Sequence, residues 1–434
     1  MVLATAPAGL GHVRVTEALR DGLGKEMRAE VVGLQDASVQ ILHRLASRTP
    51  FLRSLMEFAQ NNPLVEEHFS RLYRANLRRG GKEAYQRLVE LVKRRRPIPK
   101  VLVIVATHFA LAHQVAAVKR LLAQELNLCV VLAVVVTDDS PQKMWGVVGA
   151  DYVFVPSSTT KERLEAYMRR VGGELPEVVI SAYPVSPGLC KNLSEDEFNT
   201  RRSQVSPRKM TRLELVIPIS GAAVQLRFFQ ELISVLGKNG KADITVISRE
   251  SGYTKSFLSW CQERPSVRVI AEALDWDVVT AYEKEYERML FSVEVTKPSE
   301  QTFKALITPK QRGGVILLFS EPVGRQEDDN IAFLARHGLL PSLSDQQLLF
   351  RLWAEEEGRV DAEFLRRARR WRGILLPSGG LQAGKAILWL RKHGVLASMV
   401  EFSEYMDHPE LRGDGVGRFW RKLARRVGEK CGIG

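Results

Sequence analysis

The chain has 434 residues, 45% of them apolar, enough to bury two domain-sized cores. Its 63 Lys and Arg against 50 Asp and Glu give a formal charge of +13, which points to an anionic partner such as nucleic acid, a phosphate-bearing ligand or an acidic membrane surface. It has no apolar run of about 18 or more residues and no basic stretch leading into an apolar N-terminal segment, so the expectation is a protein that is soluble or bound at a membrane surface without spanning it.

In chain order, the first half alternates unbroken apolar runs with helically spaced stretches. The runs are Val2 to Ala6, Val101 to Ala106, Cys129 to Val136, Tyr152 to Val155 and Val178 to Ile180; Ala112 to Leu126 and Lys161 to Val171 carry the helical spacing. Such β-branched runs suit a parallel sheet covered on both faces, so this half reads as doubly wound α/β. Residues 37–96 interrupt the pattern with a basic, helix-prone insertion. It reads either as helices packed on their own domain or as an amphipathic surface lying on an anionic bilayer.

A polar, charged stretch over 188–210 reads as a linker. Beyond it a second series of strands is predicted at Leu213 to Ile219, Asp243 to Ile247, Val267 to Ile270, Ser292 to Val295 and Val315 to Phe319, which makes 211–350 a second α/β domain. Two such domains are expected to bind ligands in a cleft at the carboxyl ends of their strands. Residues 351–434 read as closing helices and a cationic tail. Cys129, Cys190, Cys261 and Cys431 are far apart with no CxxC spacing, which indicates neither a zinc site nor a disulfide framework and fits a reducing cytosol.

The first strand runs into Gly9-Leu10-Gly11-His12. A dinucleotide fingerprint would place a third glycine at position 14, where Arg14 stands, so that reading fails at the residue that sets helix-on-strand packing. What remains is a tight turn with backbone N–H groups at a helix N-terminus and a histidine at its mouth. His12 is either a general base, since imidazole titrates near neutral pH, or a helix-capping or exposed histidine. Two further strands end in Thr107-His108 and in Thr137-Asp138-Asp139, on the same rim.

The ordered series AGLGH (8–12), Thr107-His108, VVTD (135–138) with Trp145, ADYVFVPSSTTKERL (150–164), YPVSP (183–187), TKP (296–298), Thr302 and ILLFSEPVGRQEDDN (316–330) resembles the monogalactosyldiacylglycerol synthase and processive diacylglycerol glucosyltransferase family. The resemblance covers about residues 1–350. It implies a GT-B glycosyltransferase: two Rossmann-like domains facing a cleft, a hexose donated by a UDP-sugar, and a membrane lipid such as diacylglycerol as acceptor. It implies no metal and no cofactor beyond the donor substrate. His12 and Asp138 are the implied bases, and Gly9, Gly11, His108 and Trp145 border the acceptor. Ser220, Gly221, Thr302, Arg325, Gln326, Glu327 and Asn330 lie toward the donor. The implied partners are the nucleotide sugar, the lipid acceptor and an anionic membrane surface, with no specific nucleic acid, at the cytoplasmic face of the cell membrane.

The donor side departs from the family pattern. Where the family has K-P-G-G-x-T-x-x-E, this chain has Lys297-Pro298-Ser299-Glu300-Gln301-Thr302-Phe303-Lys304-Ala305. Glu300 would repel a diphosphate, and Ala305 cannot accept hydrogen bonds from ribose hydroxyls. The glycine-rich loop is thinned to Ser220-Gly221-Ala222-Ala223, and Arg325 replaces a glycine as either a phosphate fork or a surface arginine. A second expectation is therefore a non-catalytic GT-B-fold binding protein, and a third is a protein that binds nucleic acid without specificity through its basic helices. The short first strand also suggests a natural start further upstream.

Overall fold

The structure is a computed structural model that describes residues 1–6, 9–24, 27–33, 77, 80–209, 211–238, 240–355, 360–402 and 408–433. The chain divides into two units, 1–186 with 414–434, and 187–413. Each is built on one six-stranded, all-parallel sheet.

In the first unit β1 (Val2–Ala4) lies between β2 (Glu30–Val32) and β3 (Val101–Ala106), followed by β4 (Cys129–Val135), β5 (Tyr152–Val155) and β6 (Glu177–Ile180), in the order β2-β1-β3-β4-β5-β6. Val2 pairs with Glu30 on one side and Ile104 on the other. The order therefore reverses between β1 and β3, where an open sheet leaves a crevice at its carboxyl edge. The helices are α1 (Leu10–Asp21), α2 (Gly81–Lys93), α3 (Phe109–Leu126) and α4 (Ser158–Val171). The core is made of the unbroken apolar strands, with Ile104, Leu132, Val134 and Val153 fully buried. Burial on both sheet faces explains why these strands show no apolar–polar alternation. Of the expected basic insertion over 37–96, residues 37–76, 78 and 79 lie outside the described residues, and Gly81–Lys93 forms α2.

The second unit contains β7 (Leu213–Pro218), β8 (Ala242–Arg249), β9 (Val267–Glu272), β10 (Val293–Thr296), β11 (Ile316–Phe319) and β12 (Gly373–Leu375), ordered β12-β11-β10-β7-β8-β9. This is the doubly wound order, with its reversal between β7 and β10. Its helices are α5 (Glu195–Val205), α6 (Leu226–Lys238), α7 (Lys255–Gln262), α8 (Asp275–Arg288), α9 (Arg325–Arg336), α10 (Leu343–Ala354), α11 (Ala362–Ala368), α12 (Gly380–Lys392) and α13 (Val395–Val400).

Three expectations are corrected here. The stretch 188–210 is not a linker: Ser194 and Glu197 form a capping box at the start of α5, and the Arg201 guanidinium is buried, donating to the carbonyls of Phe291, Pro309, Gln311 and Arg312. Burial lowers its pKa to about 9. A charged residue that finds four carbonyls does core work, and it hides the helix from any reading based on apolar spacing. The segment 351–434 is likewise divided: 360–402 completes the second sheet with β12 and adds α11 to α13, whereas α14 (Gly415–Cys431) returns to the first unit. Finally, Cys129 and Cys431 form a disulfide, their Cα atoms 5.9 Å apart across a sequence separation of 302. The pairing is invisible in the spacing because only the return of α14 creates it.

That return is anchored at several points. Phe419 packs edge-on to Phe154 at 4.7 Å, Trp420 Nε1 donates to the Leu19 carbonyl at 3.0 Å, and Lys422 Nζ donates to the Ile180 carbonyl at 2.6 Å. At the first turn, a Cβ on Gly415 would stand 2.1 Å from the Tyr183 carbonyl oxygen and 2.7 Å from that of Ala182. Among the described residues no helix is long and apolar enough to cross a membrane. In an exposed helix, Gly→Ala would stabilise by about 0.5–1 kcal/mol. At position 415 the backbone collision outweighs that gain, so Gly415→Ala is expected to lower stability by about 1–3 kcal/mol in urea denaturation and to raise protease sensitivity at the C-terminus.

Candidate functional site

The first unit assembles a site at its strand-order reversal. Gly9 enters α1 with φ of 122°, a backbone angle open to glycine, and α1 has no side-chain cap, so its first N–H groups face the loop. His12 lies in the first turn. Its Nδ1 is 2.8 Å from the carbonyl oxygen of Thr107, directly after β3, and 3.2 Å from Thr137 Oγ1 after β4. A carbonyl only accepts, so Nδ1 donates a proton to it, and in a neutral imidazole so bonded the basic nitrogen is Nε2. Thr16, one turn further along α1, fixes the same junction: its hydroxyl donates to the His12 carbonyl at 2.8 Å and lies 2.7 Å from Thr107 Oγ1.

An aromatic wall surrounds this imidazole. The ring centroids of His108 and Trp145 lie 4.7 and 5.9 Å from that of His12, and Phe109 stacks on His108 at 4.5 Å while meeting Trp145 edge-on at 5.7 Å. Trp145 is buried on a 3₁₀ turn (Lys143–Trp145), and its indole Nε1 has no hydrogen-bond partner among the described residues. A buried donor without a partner is costly unless something else accepts from it. His108 caps α3, accepting the Ala110 N–H on Nδ1 at 3.2 Å, which leaves its own proton on Nε2. The two histidines thus use Nδ1 in opposite senses, His12 donating to a carbonyl and His108 accepting a backbone N–H.

Asp138 is buried and accepts the Ser140 N–H on Oδ1 at 3.0 Å, which gives the loop after β4 an Asx turn. Asp139 accepts from the hydroxyls of Ser157 and, at 2.9 Å, Thr160, tying that loop to the start of α4. Gly11 lies within α1. The sequence reading omitted Thr16 and Thr137 as partners of His12. The signal for Thr16 was its i+4 spacing, whereas Thr137 required the register of three strands.

The second unit gathers another group at its own reversal. The loop after β7 holds Ser220 and Gly221, then Ala223 and Gln225 at φ of 50° and 62°. Non-glycine residues at such angles mark stored strain of about 1–3 kcal/mol each. Gln225 secures the loop, accepting from Ser320 Oγ at 2.7 Å and donating to the Glu321 carbonyl at 2.8 Å. After β10, Thr302 sits fully buried in a 3₁₀ segment (Glu300–Leu306). Among the described residues the hydroxyls of Ser220 and Thr302 have no hydrogen-bond partner.

Several residues expected at the donor are engaged internally. Glu327 pairs with Lys297 through one carboxylate oxygen and accepts the Val323 N–H at 2.9 Å through the other. Asn330 donates to the Pro298 carbonyl at 3.2 Å, and Arg325 lies 3.8 Å from Asp329 on the same helix. Gln326 is exposed. Asp328 has its pKa raised, first by burial and then by the neighbouring Asp329 and Glu327.

Beneath them a buried ion pair missed by sequence reading anchors the 3₁₀ segment. Lys304 Nζ contacts the Glu294 carboxylate and the hydroxyls of Tyr282 and Tyr286, the last at 2.8 Å. Tyr286 has its pKa pushed well up, chiefly by burial and secondarily by Glu294. Ala305, in the place of the family's glutamate, is fully buried.

No protein-family model matches the sequence, and no curated protein matches it. Among solved structures, the Staphylococcus aureus MnaA–UDP complex is similar over 100% of this chain and 97% of its own, at 9% identity and a TM-score of 0.50. MurG of Acinetobacter baumannii matches over 98% and 99% at 12% identity (TM-score 0.46), and the Neisseria meningitidis UDP-GlcNAc 2-epimerase bound to UDP-GlcNAc over 98% and 100% at 9% identity (TM-score 0.46). The likeness to MnaA is one of fold, and the chain accordingly has the two Rossmann-like α/β domains of GT-B proteins.

Glu327→Ala would leave Lys297 unpaired and the Val323 N–H unsatisfied. It is expected to cost about 1–3 kcal/mol of stability in chemical denaturation, independently of any ligand.

Proposed function

We propose that the protein is a GT-B glycosyltransferase that moves a hexose from a UDP-sugar to the hydroxyl of a membrane lipid such as diacylglycerol. The carrying observation is the His12 tautomer: Nδ1–H held by the Thr107 carbonyl leaves Nε2 as a base at the crevice of the first sheet. In the proposed reaction, Nε2 takes the acceptor hydroxyl proton as the oxygen attacks the anomeric carbon, and UDP leaves from the opposite face with inversion. The imidazolium that forms is stabilised by the same carbonyl and by Thr137 Oγ1. In this reading Ser220 and the guanidinium fork of Arg325, at the carboxyl edge of the second sheet, are the groups proposed to meet the leaving diphosphate.

The UDP moiety is inferred by analogy with the nucleotide named in the MnaA complex. A lipid acceptor is supported by the aromatic wall beside His12 and by the formal charge of +13, which favours attraction to an anionic membrane surface. The second reading, a GT-B-fold binding protein without transferase activity, draws on the internal engagement of Glu327 and Asn330 and on Ala305.

Labelled UDP-glucose and UDP-galactose offered with diacylglycerol vesicles test both. His12→Ala is expected to reduce product formation by about 10²–10⁴-fold with its melting temperature preserved. Equal product from both proteins would reject His12 as base. Absence of product with either donor, together with a rise in melting temperature on adding UDP, would favour the binding protein.

A further inference from the structure

The second unit contains a cluster far in sequence from either strand-order reversal. His337 caps the C-terminus of α9, and His408 and Glu410 lie in the turn ahead of the return to the first unit. Each offers one ligand atom, and the three atoms lie within 4.8 Å of one another. Among the described residues this is the one grouping of three or more His, Cys, Asp or Glu side chains with that convergence.

We propose that His337, His408 and Glu410 form a divalent metal site with zinc as its preferred ion. The donor set is the first reason. Two imidazoles and one carboxylate suit zinc, whereas calcium and magnesium favour all-oxygen sites. The spacing is the second. His337 Nε2 and Glu410 Oε2 are 3.0 Å apart, close to the edge of about 3.4 Å expected for a tetrahedron with bonds near 2.1 Å.

Burial and support supply the third. The Glu410 side chain is 2% exposed and that of His337 12%, so the carboxylate and one imidazole converge in a largely dry place. Phe333 meets the His337 ring edge-on at 4.8 Å, and the His408 ring lies 5.1 Å from that of His337, so neither imidazole hangs alone in solvent.

The rearrangement needed is small. His408 Nδ1 accepts the Glu410 N–H at 3.3 Å, a long bond. Coordination through Nδ1 would displace this bond. Coordination through Nε2 would place the proton on Nδ1 and end its role as acceptor. Either route gives up this contact and replaces the His337–Glu410 hydrogen bond with metal bonds. Three protein ligands leave a fourth position for water, and the ion would clip the end of α9 to a turn 71 residues further along the chain.

The test uses the full-length protein, stripped with EDTA and desalted. Titration with zinc chloride in a calorimeter is expected to show one equivalent bound with Kd of about 1 μM or below. Cobalt(II) is expected to give the visible absorption of a four-coordinate site. His408→Ala, a turn residue, and Glu410→Gln, which keeps the side-chain shape, are each expected to weaken binding by at least about 10-fold and to remove the cobalt spectrum, with circular dichroism unchanged. Zinc binding that is equally tight in both variants, or weaker than about 100 μM in the unaltered protein, would overturn the assignment and leave an ordinary His–Glu hydrogen bond. None of these readouts depends on transferase activity.

Discussion

The hydrogen bond from His12 Nδ1 to the Thr107 carbonyl is the constraint on which the geometry of the first unit's candidate site depends. It exists because β1 and β3 are neighbours in register: Ala4 pairs with Ala106, and the Thr107 N–H donates to the Ala4 carbonyl at 3.0 Å, which sets the next carbonyl beside the first turn of α1. A backbone carbonyl cannot titrate and cannot donate, so the tautomer it selects does not change with a side chain's protonation. Thr16 and Thr137 add hydroxyls to the same junction, one from the helix that carries the imidazole and one from the loop after β4. The ring on α1 is held from the ends of two strands, β3 through the Thr107 carbonyl and β4 through Thr137, an arrangement suited to positioning a side chain on rigid elements.

The second unit resolves the equivalent problem differently. Its reversal point is braced by charge pairs that turn inward: Lys297 to Glu327 across the loop, and Lys304 to Glu294 below it. Fully buried ion pairs contribute little net stability relative to apolar packing, and breaking one is costly. The pattern points to a loop whose shape is specified by polar contacts, with strain retained at Ala223 and Gln225.

Much of the architecture was legible because parallel strands buried on both faces announce themselves as unbroken apolar runs. Val101–Ala106 and Tyr152–Val155 match the expected bounds, and the other central strands differ by a residue or two. The edge strands β2 and β12, three residues each, were too short to stand out. The α5 helix was hidden because its buried anchor, Arg201, looks like a surface residue until its four carbonyls are known. At the candidate site, His12 and His108 were legible from strand-end placement and Trp145 from the family resemblance, and the structure brings the three rings together. The inward pairing of Glu327 and Asn330, the Cys129–Cys431 bond and the His337–His408–Glu410 cluster were not, because each joins segments whose proximity no local pattern encodes.

The return of α14 has a consequence for how the chain comes off the ribosome. All six strands of the first sheet emerge before the second unit is made, yet the helix that covers Phe154 and supplies Cys431 emerges only after it. Throughout synthesis of residues 187–413 the nascent first unit carries an unfinished apolar face and an unpaired Cys129. Its completion waits, by topology, until the whole second unit has been made, so quality control that senses exposed apolar surface has a window set by the time needed to translate residues 187–413.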